Sequence, residues 1–161
     1  MAREDRVIDI DNTKGLLARL REAAGAEIRV GIIGDTANEV VSEDGLTMAA
    51  LGAVHEFGTD RAGKNHDITI PERSHLRATW DDRATIRGAA RKLNELYARS
   101  STARQIMLGT AIILADAVKD KINRGLEPEN KPATEQRKGS SRPLIDSGRY
   151  RDSIQGQVVM K

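Results

Sequence analysis

Apolar residues recur at helical spacing in several stretches of the chain, and short β-branched runs separate them. Leu16, Leu17, Leu20, Ala23 and Ala24 follow the helical period behind Thr13, which predicts a capped helix stopped by Gly25. The run Glu27 to Ile33 predicts a strand ended by Gly34, and a polar loop continues to Gly45. Thr47 then caps a short Ala-rich helix through Leu51 and Val54 to Phe57, with Gly58 as its stop. Residues 59–67 form a charged loop without periodicity, and Ile68 to Ile70 predicts a second strand. Pro71 ends that strand and is expected to open the first turn of a helix-rich region reaching about Arg124. Two apolar stripes lie within it. The first is Ile86, Ala89, Ala90, Leu93, Leu96 and Tyr97, and the second, clearer one is Ile106, Met107, Thr110, Ile113, Leu114, Ala117, Val118 and Ile122. Ser100, Ser101 and Thr102 divide the stripes and supply a cap, and Gly125 closes the second. Residues 153–160 alternate weakly and predict a last strand.

This order predicts an α+β fold with a small, mostly antiparallel sheet covered by helices, in a single domain over residues 1–161. Between the last helix and the last strand, residues 127–143 hold three of the four prolines and read as a long polar arm, an extended interaction loop. Six basic side chains, Lys131, Arg137, Lys138, Arg142, Arg149 and Arg151, face two acidic ones, Glu135 and Asp146, over residues 131–151.

Composition changes the picture in two ways. Aromatic residues make up 2% of the chain, so the core is built mainly from Ala, Leu, Ile and Val and buries less area per residue. Such a core draws part of its stability from neighbouring subunits, or is simply an Ala-rich helical core. There is no cysteine, which excludes disulfides and thiolate metal sites. The charged start at Met1 to Asp5 has no apolar signal core, and no apolar run suits a membrane span. A net charge of +2 is too small to imply nucleic-acid binding on its own.

Three blocks, in order, carry a resemblance: residues 51–59 (LGAVHEFGT), 70–77 (IPERSHLR) and 143–154 (PLIDSGRYRDSI). Together they resemble the neck and tail-completion proteins of long-tailed bacteriophages, the virion morphogenesis or minor tail protein Z-like group. In that family a block with Ala and Glu-Phe-Gly-Thr precedes an Ile-Pro-x-Arg-x-x-Leu block, a long helical middle follows, and a Pro-Leu-Ile-Asp-Thr/Ser-Gly block lies near the C terminus. Lys138 and Gly139 ahead of the last block also fit. His75 stands where the family often has an aromatic, and Ser147 where it more often has threonine.

The resemblance implies a structural virion protein without catalytic role or cofactor. Such a subunit forms a homo-oligomeric ring, commonly a hexamer, that completes the tail and joins it to the head connector. A tail-terminator or head-closure ring at the same junction is the near alternative. Head connector or head-closure proteins would lie on one side and tail-terminator or tail-tube proteins on the other. Genomic DNA would pass through the lumen without sequence-specific binding. The implied location is the virion neck and tail, with the host cytoplasm during assembly and no membrane.

The motif residues have physical readings of their own. Phe57 is expected to bury its ring under the last helical turn, with Gly58 in the left-handed conformation and Thr59 opening the loop. Glu56 would pair with Arg61 or Lys64, or remain a surface glutamate with local partners. Pro71 would fix a strand-to-helix corner with Glu72 at the helix N terminus. Arg73, displayed in the first turn, would hold a carboxylate of another element or contact an adjacent ring. Leu144 and Ile145 would dock into the core, and Asp146 or Ser147, beside Gly148, would cap the turn carrying Tyr150. The basic arm of Lys131, Arg137, Lys138 and Arg142 is the expected interaction element.

An enzyme has no residue to name. His55, His66 and His75 lack metal-ligand spacing, and His66 beside Asp67 reads as a loop pair. Gly31-Ile32-Ile33-Gly34 lacks the third glycine of a dinucleotide site, and no phosphate loop or nucleophile elbow occurs. The second class of function is a small DNA-binding protein using residues 131–151, where phosphate contacts would need those clustered cations. The lack of an aromatic platform for bases weighs against it.

Overall fold

The computed structural model describes residues 24–99, 102–138, 142–145 and 147–160, together with positions 18, 21 and 22. Strand β1 (Ala26–Ile32) leads through a 3-10 turn (Gly34–Asn38) to helix α1 (Met48–Phe57). A hairpin of β2 (Thr59–Ala62) and β3 (Ile68–Ile70) follows. Helices α2 (Leu76–Asp81), α3 (Arg83–Arg99) and α4 (Ala103–Arg124) come next, then the short helices α5 (Pro132–Lys138) and α6 (Arg149–Asp152) and strand β4 (Ile154–Met160).

Helix α4 is the axis on which the rest is assembled. Met107, Ala111, Ala115, Val118 and Ile122 are buried along it at steps of four or three residues, which keeps them on one face. Its start is fixed by a reciprocal cap. The Thr102 hydroxyl accepts from the Gln105 N–H, and the Gln105 side chain accepts from the Thr102 N–H. The core around it comprises Met48, Ala115, Val118, Ile122, Leu126, Leu144, Tyr150 and Ile154, with Ile32 and Leu51 packed against it. Thr47 caps α1 as its sequence suggests, accepting from the Ala50 N–H at 3.2 Å.

The strands form two separate antiparallel pairs, not one sheet. β1 pairs with β4 from Ala26 opposite Met160 to Ile32 opposite Ile154, and β2 pairs only with β3. The first pair lies flat against α4. A Cβ on Gly156 would fall inside the carbonyl group of Ala111, so only glycine lets strand and helix backbones touch there. Residues 59–62 carry no alternating pattern because β2 meets its partner through backbone bonds while Asp60 and Arg61 stay exposed.

Three further expectations are corrected. The helix expected to begin at Pro71 begins at Leu76, because residues 71–75 run irregularly to bring a cap from elsewhere onto it. The helical region then breaks at Asp82, whose carboxylate caps α3 by accepting from the N–H groups of Ala84 and Thr85. Those bonds, with Lys121 beside them, hold its pKa at about 2. The polar arm is not wholly irregular either, since residues 132–138 are helical. Of the first expected helix, residues 18, 21, 22 and 24 are helical, while Thr13, Leu16, Leu17, Leu20 and Ala23 lie outside the described residues.

Gly88 provides a simple check on α3. Nothing lies within 4 Å of where its Cβ would stand. Gly88→Ala should therefore raise stability by about 0.5–1 kcal/mol, because glycine is the poorer helix former. A urea midpoint that rises at constant slope is the expected readout. A fall would mean that α3 packs more closely there than the structure shows.

Candidate functional site

The three motif blocks converge on one buried polar centre. Helix α1 delivers Glu56 on the same face as Met48 and Gly52, at steps of four residues, and its side chain points inward with the residue 6% exposed. The carboxylate sits on the N terminus of α2. It accepts from the Ser74 hydroxyl at 2.7 Å and from the backbone N–H groups of His75, Leu76 and Arg77 at 2.8, 2.9 and 3.0 Å. Those N–H groups belong to the start of a helix and have no partner within it. A carboxylate from a distant part of the chain thus does the work of a local cap, with the helix dipole in its favour. Burial alone would raise the pKa of Glu56. The N–H groups of Arg77 and Leu76, the Ser74 hydroxyl and the His75 N–H outweigh it and leave the carboxyl below its ordinary value.

His75 connects this cap to the third block. Its ring is 2% exposed, with Nε2 2.9 Å from the Tyr150 hydroxyl and Nδ1 3.1 Å from Glu56 Oε2. The Nδ1 contact lies off the line of a good hydrogen bond, so it is electrostatic in character. Burial and the Glu56 charge raise the Tyr150 pKa far above its usual range, so its hydroxyl stays protonated and forms a neutral hydrogen bond with Nε2. Burial lowers the His75 pKa, and the Glu56 charge recovers only part of that. The rings of His75 and His55 both meet Tyr150 edge-on, with centroids 5.5 and 5.4 Å away. His75 thus makes the ring contact of an aromatic at this position and adds a polar link.

Arg73 is buried and does not hold a carboxylate. Its Nε donates to the Pro128 carbonyl at 2.7 Å and its Nη2 to the Glu129 carbonyl at 3.0 Å, while its backbone N–H donates to His55. The planar fork clamps the chain just after α4, where backbone acceptors would otherwise lack partners. Glu72 pairs with Arg77 on the surface and leaves the helix end to Glu56.

Glu56 pairs with neither Arg61 nor Lys64, and Phe57 does not lie under the last turn. Phe57 is 71% exposed, because successive helical residues point about 100° apart and the interior direction belongs to Glu56. Gly58 has φ 70° and ψ 175°, and a Cβ there would meet the Glu72 nitrogen at 2.7 Å, so the chain can double back only at glycine. Thr59 opens β2 opposite Ile70, and half-buried Pro71 follows β3.

In the third block Leu144 is buried in the core with φ 61°, a strained setting for a bulky residue, and Ile145 packs beside it. Asp146 lies outside the described residues. Gly148, at φ 85°, precedes α6 with no side-chain cap, and the Ser147 hydroxyl makes only a long contact with the Arg149 N–H at 3.4 Å.

The same blocks line an open cleft of about 1200 Å³ between the hairpin, residues 128–134 and the turn before α6. His55, Ile70, Pro71, Arg73, Leu144 and Tyr150 face it. Exposed Lys131 lies on its lining. The described cations between residues 142 and 151 are engaged. Arg142 donates to the Asn123 carbonyl at 3.1 Å, Arg149 pairs with Glu39, and Arg151 pairs with Asp152 and donates to Asn123 Oδ1. The side chains of Arg137 and Lys138 lie outside the description.

Nothing in the sequence brings Ser74, His75 and Tyr150 together with Glu56. The available signal was Glu56 itself, a charge in register with Met48 and Gly52 on an apolar helix face. Among the described residues, no three His, Asp or Glu side chains gather to hold a metal ion, and no helix is long and apolar enough to cross a membrane. Comparison with family models, curated proteins and solved structures finds no match for this chain.

Proposed function

We propose that the chain is a non-enzymatic structural subunit of a bacteriophage virion, one copy of a ring that completes a long tail where it meets the head connector. The observation that supports this reading is the convergence of the three motif blocks. Glu56 from the first, Ser74 and His75 from the second and Tyr150 from the third form one connected polar network. Blocks scattered over about a hundred residues are then parts of a single architectural unit, as a shared family signature requires. Their buried polar atoms are spent on holding elements together, which suits a scaffold.

Exposed Phe57 gives the proposal a surface. Its ring is 71% exposed at the end of α1 and is open to a neighbouring subunit. Phe57→Ser should change stability by no more than about 0.5 kcal/mol, since the ring has little to lose on the surface. Mass measurement on size exclusion should show the parent chain as a multiple of 17.6 kDa and the variant shifted toward the single subunit. An unshifted ring would remove Phe57 from the interface. The location is tested by imaging assembled particles, where density belongs at the head–tail junction. Density confined to the capsid shell or baseplate would refute the reading.

A further inference from the structure

Helix α3 carries a charge pattern that neither the core nor the polar centre uses. Arg83, Arg87 and Arg91 recur every four residues and are all exposed. At 1.5 Å per residue they form a ridge about 12 Å long. Thr85 and Ala89 mark the buried side of the helix, and the ridge lies roughly opposite. None of the three takes part in an ion pair among the described residues, where nine such pairs occur. Like charges at this spacing oppose helix formation by a few tenths of a kcal/mol per pair, so the ridge is mildly unfavourable for the folded chain alone. Glu95 is the one acidic residue of α3, against Arg83, Arg87, Arg91, Lys92 and Arg99. Lys92 is already turned to Asp120.

We infer that this ridge is a binding surface for the phosphate backbone of duplex DNA. Twelve ångströms of helix spans the rise of three to four phosphates on one strand of B-form DNA. Guanidinium groups on long stems reach such phosphates with two donors at once. The neighbouring exposed positions are Ala84, Ala90, Asn94 and Ala98, three of them small enough to let the helix approach closely. They also offer no large apolar anchor at the centre of the face, which an acidic protein partner would need for a stable interface. Contacts to phosphates alone make the binding electrostatic and indifferent to sequence. The surface differs from the C-terminal arm that the sequence favours for DNA, where Arg142, Arg149 and Arg151 already have protein partners.

This inference deepens the ring reading without depending on it. DNA binding by the chain is a separate measurement. A ring that ignores DNA overturns the ridge alone, and a DNA-binding chain that never assembles overturns the ring alone.

The test titrates a fluorescent mixed-sequence duplex with the full chain over a series of salt concentrations. The triple variant Arg83→Gln, Arg87→Gln, Arg91→Gln should bind about a hundredfold more weakly at 0.1 M salt. The slope of log affinity against log salt should fall by about three, because three fewer counterions are released. The triple lysine variant should restore both, which a merely structural role would not do. Lys131→Gln with Arg142→Gln should change neither. The inference is overturned if the glutamine variant binds like the parent, if the arm variant removes binding instead, or if two unrelated duplexes differ tenfold in affinity. Binding of poly-glutamate with no binding of duplex would overturn it in favour of an acidic protein partner.

Discussion

Glu56→Ala is expected to cost about 3–5 kcal/mol, the loss typical of removing one partner from a buried charged network. The substitution strands three backbone N–H groups and the Ser74 hydroxyl in the interior, each deprived of its acceptor. Domains of this size are commonly stable by only 5–15 kcal/mol, so the variant should lie close to unfolding at room temperature. Glu56→Gln keeps one carbonyl oxygen but turns an NH2 group toward donors, and a loss of about 1–3 kcal/mol is expected. Urea unfolding at neutral pH measures both. A Glu56→Ala chain within about 0.5 kcal/mol of its parent would show that α2 needs no cap.

The same centre sets the acid response. Glu56 has a folded pKa below its ordinary 4.5, so the unfolded chain takes up the proton first. Its contribution is complete above 4.5 and is lost as pH falls through the lower folded value. His75 is also lowered, from 6.5, because burial disfavours its cation. The unfolded chain binds that proton first too, so stability begins to fall as pH drops below about 6.5. The two effects have the same sign. The parent chain should weaken progressively on acidification, and Glu56→Gln should flatten the part of the curve below 4.5. A stability that rises between pH 7 and 5 would contradict the burial of a neutral His75.

The second large effect is expected at Gly156. Gly156→Ala places a methyl group against the Ala111 carbonyl, and neither backbone can give way without lifting β4 off α4. A loss of about 3 kcal/mol or more is expected, at the upper end of overpacking costs. Amide exchange should accelerate along β1 and β4 together, because among the described residues the two strands pair only with each other. The contrast with Gly88→Ala is informative, since one added methyl is expected to act with opposite sign at the two sites. Equal effects would mean that propensity and not contact governs both.

How legible this was depended on whether the cause was local. The spacing of Met107, Val118 and Ile122 announces α4, and Thr47 and Thr102 announce their helices, because period and cap lie within a few residues. The α+β class followed from those elements. The start of α2 did not, because its cap comes from Glu56, about 20 residues earlier, and no local rule brings it there. Phe57 was placed inside and Glu56 outside on residue type, while the helical register with Met48 and Gly52 points the other way. Here register was the better guide. The hairpin strand β2 escaped because exposed strands bury nothing and so leave no pattern. Arg73 read as a carboxylate fork because backbone carbonyls, its actual partners, carry no sequence signal.

The pairing of β1 with β4 also bears on how the chain is made. Ala26 meets Met160, so the edge of β1 waits until more than a hundred further residues have been translated. At usual elongation rates that delay is on the order of ten seconds, long compared with the microseconds in which a local hairpin closes. During it the segment Ile28 to Ile32 is an unpaired β-prone stretch emerging among sister chains on the same message. Glu27 before it and Arg29 within it place opposite charges on that edge and so discourage in-register stacking of nascent copies less than a run of like charge would. Helix α4 packs against β1 in the finished fold and is complete before β4, so it can cover that strand only in the last part of the delay.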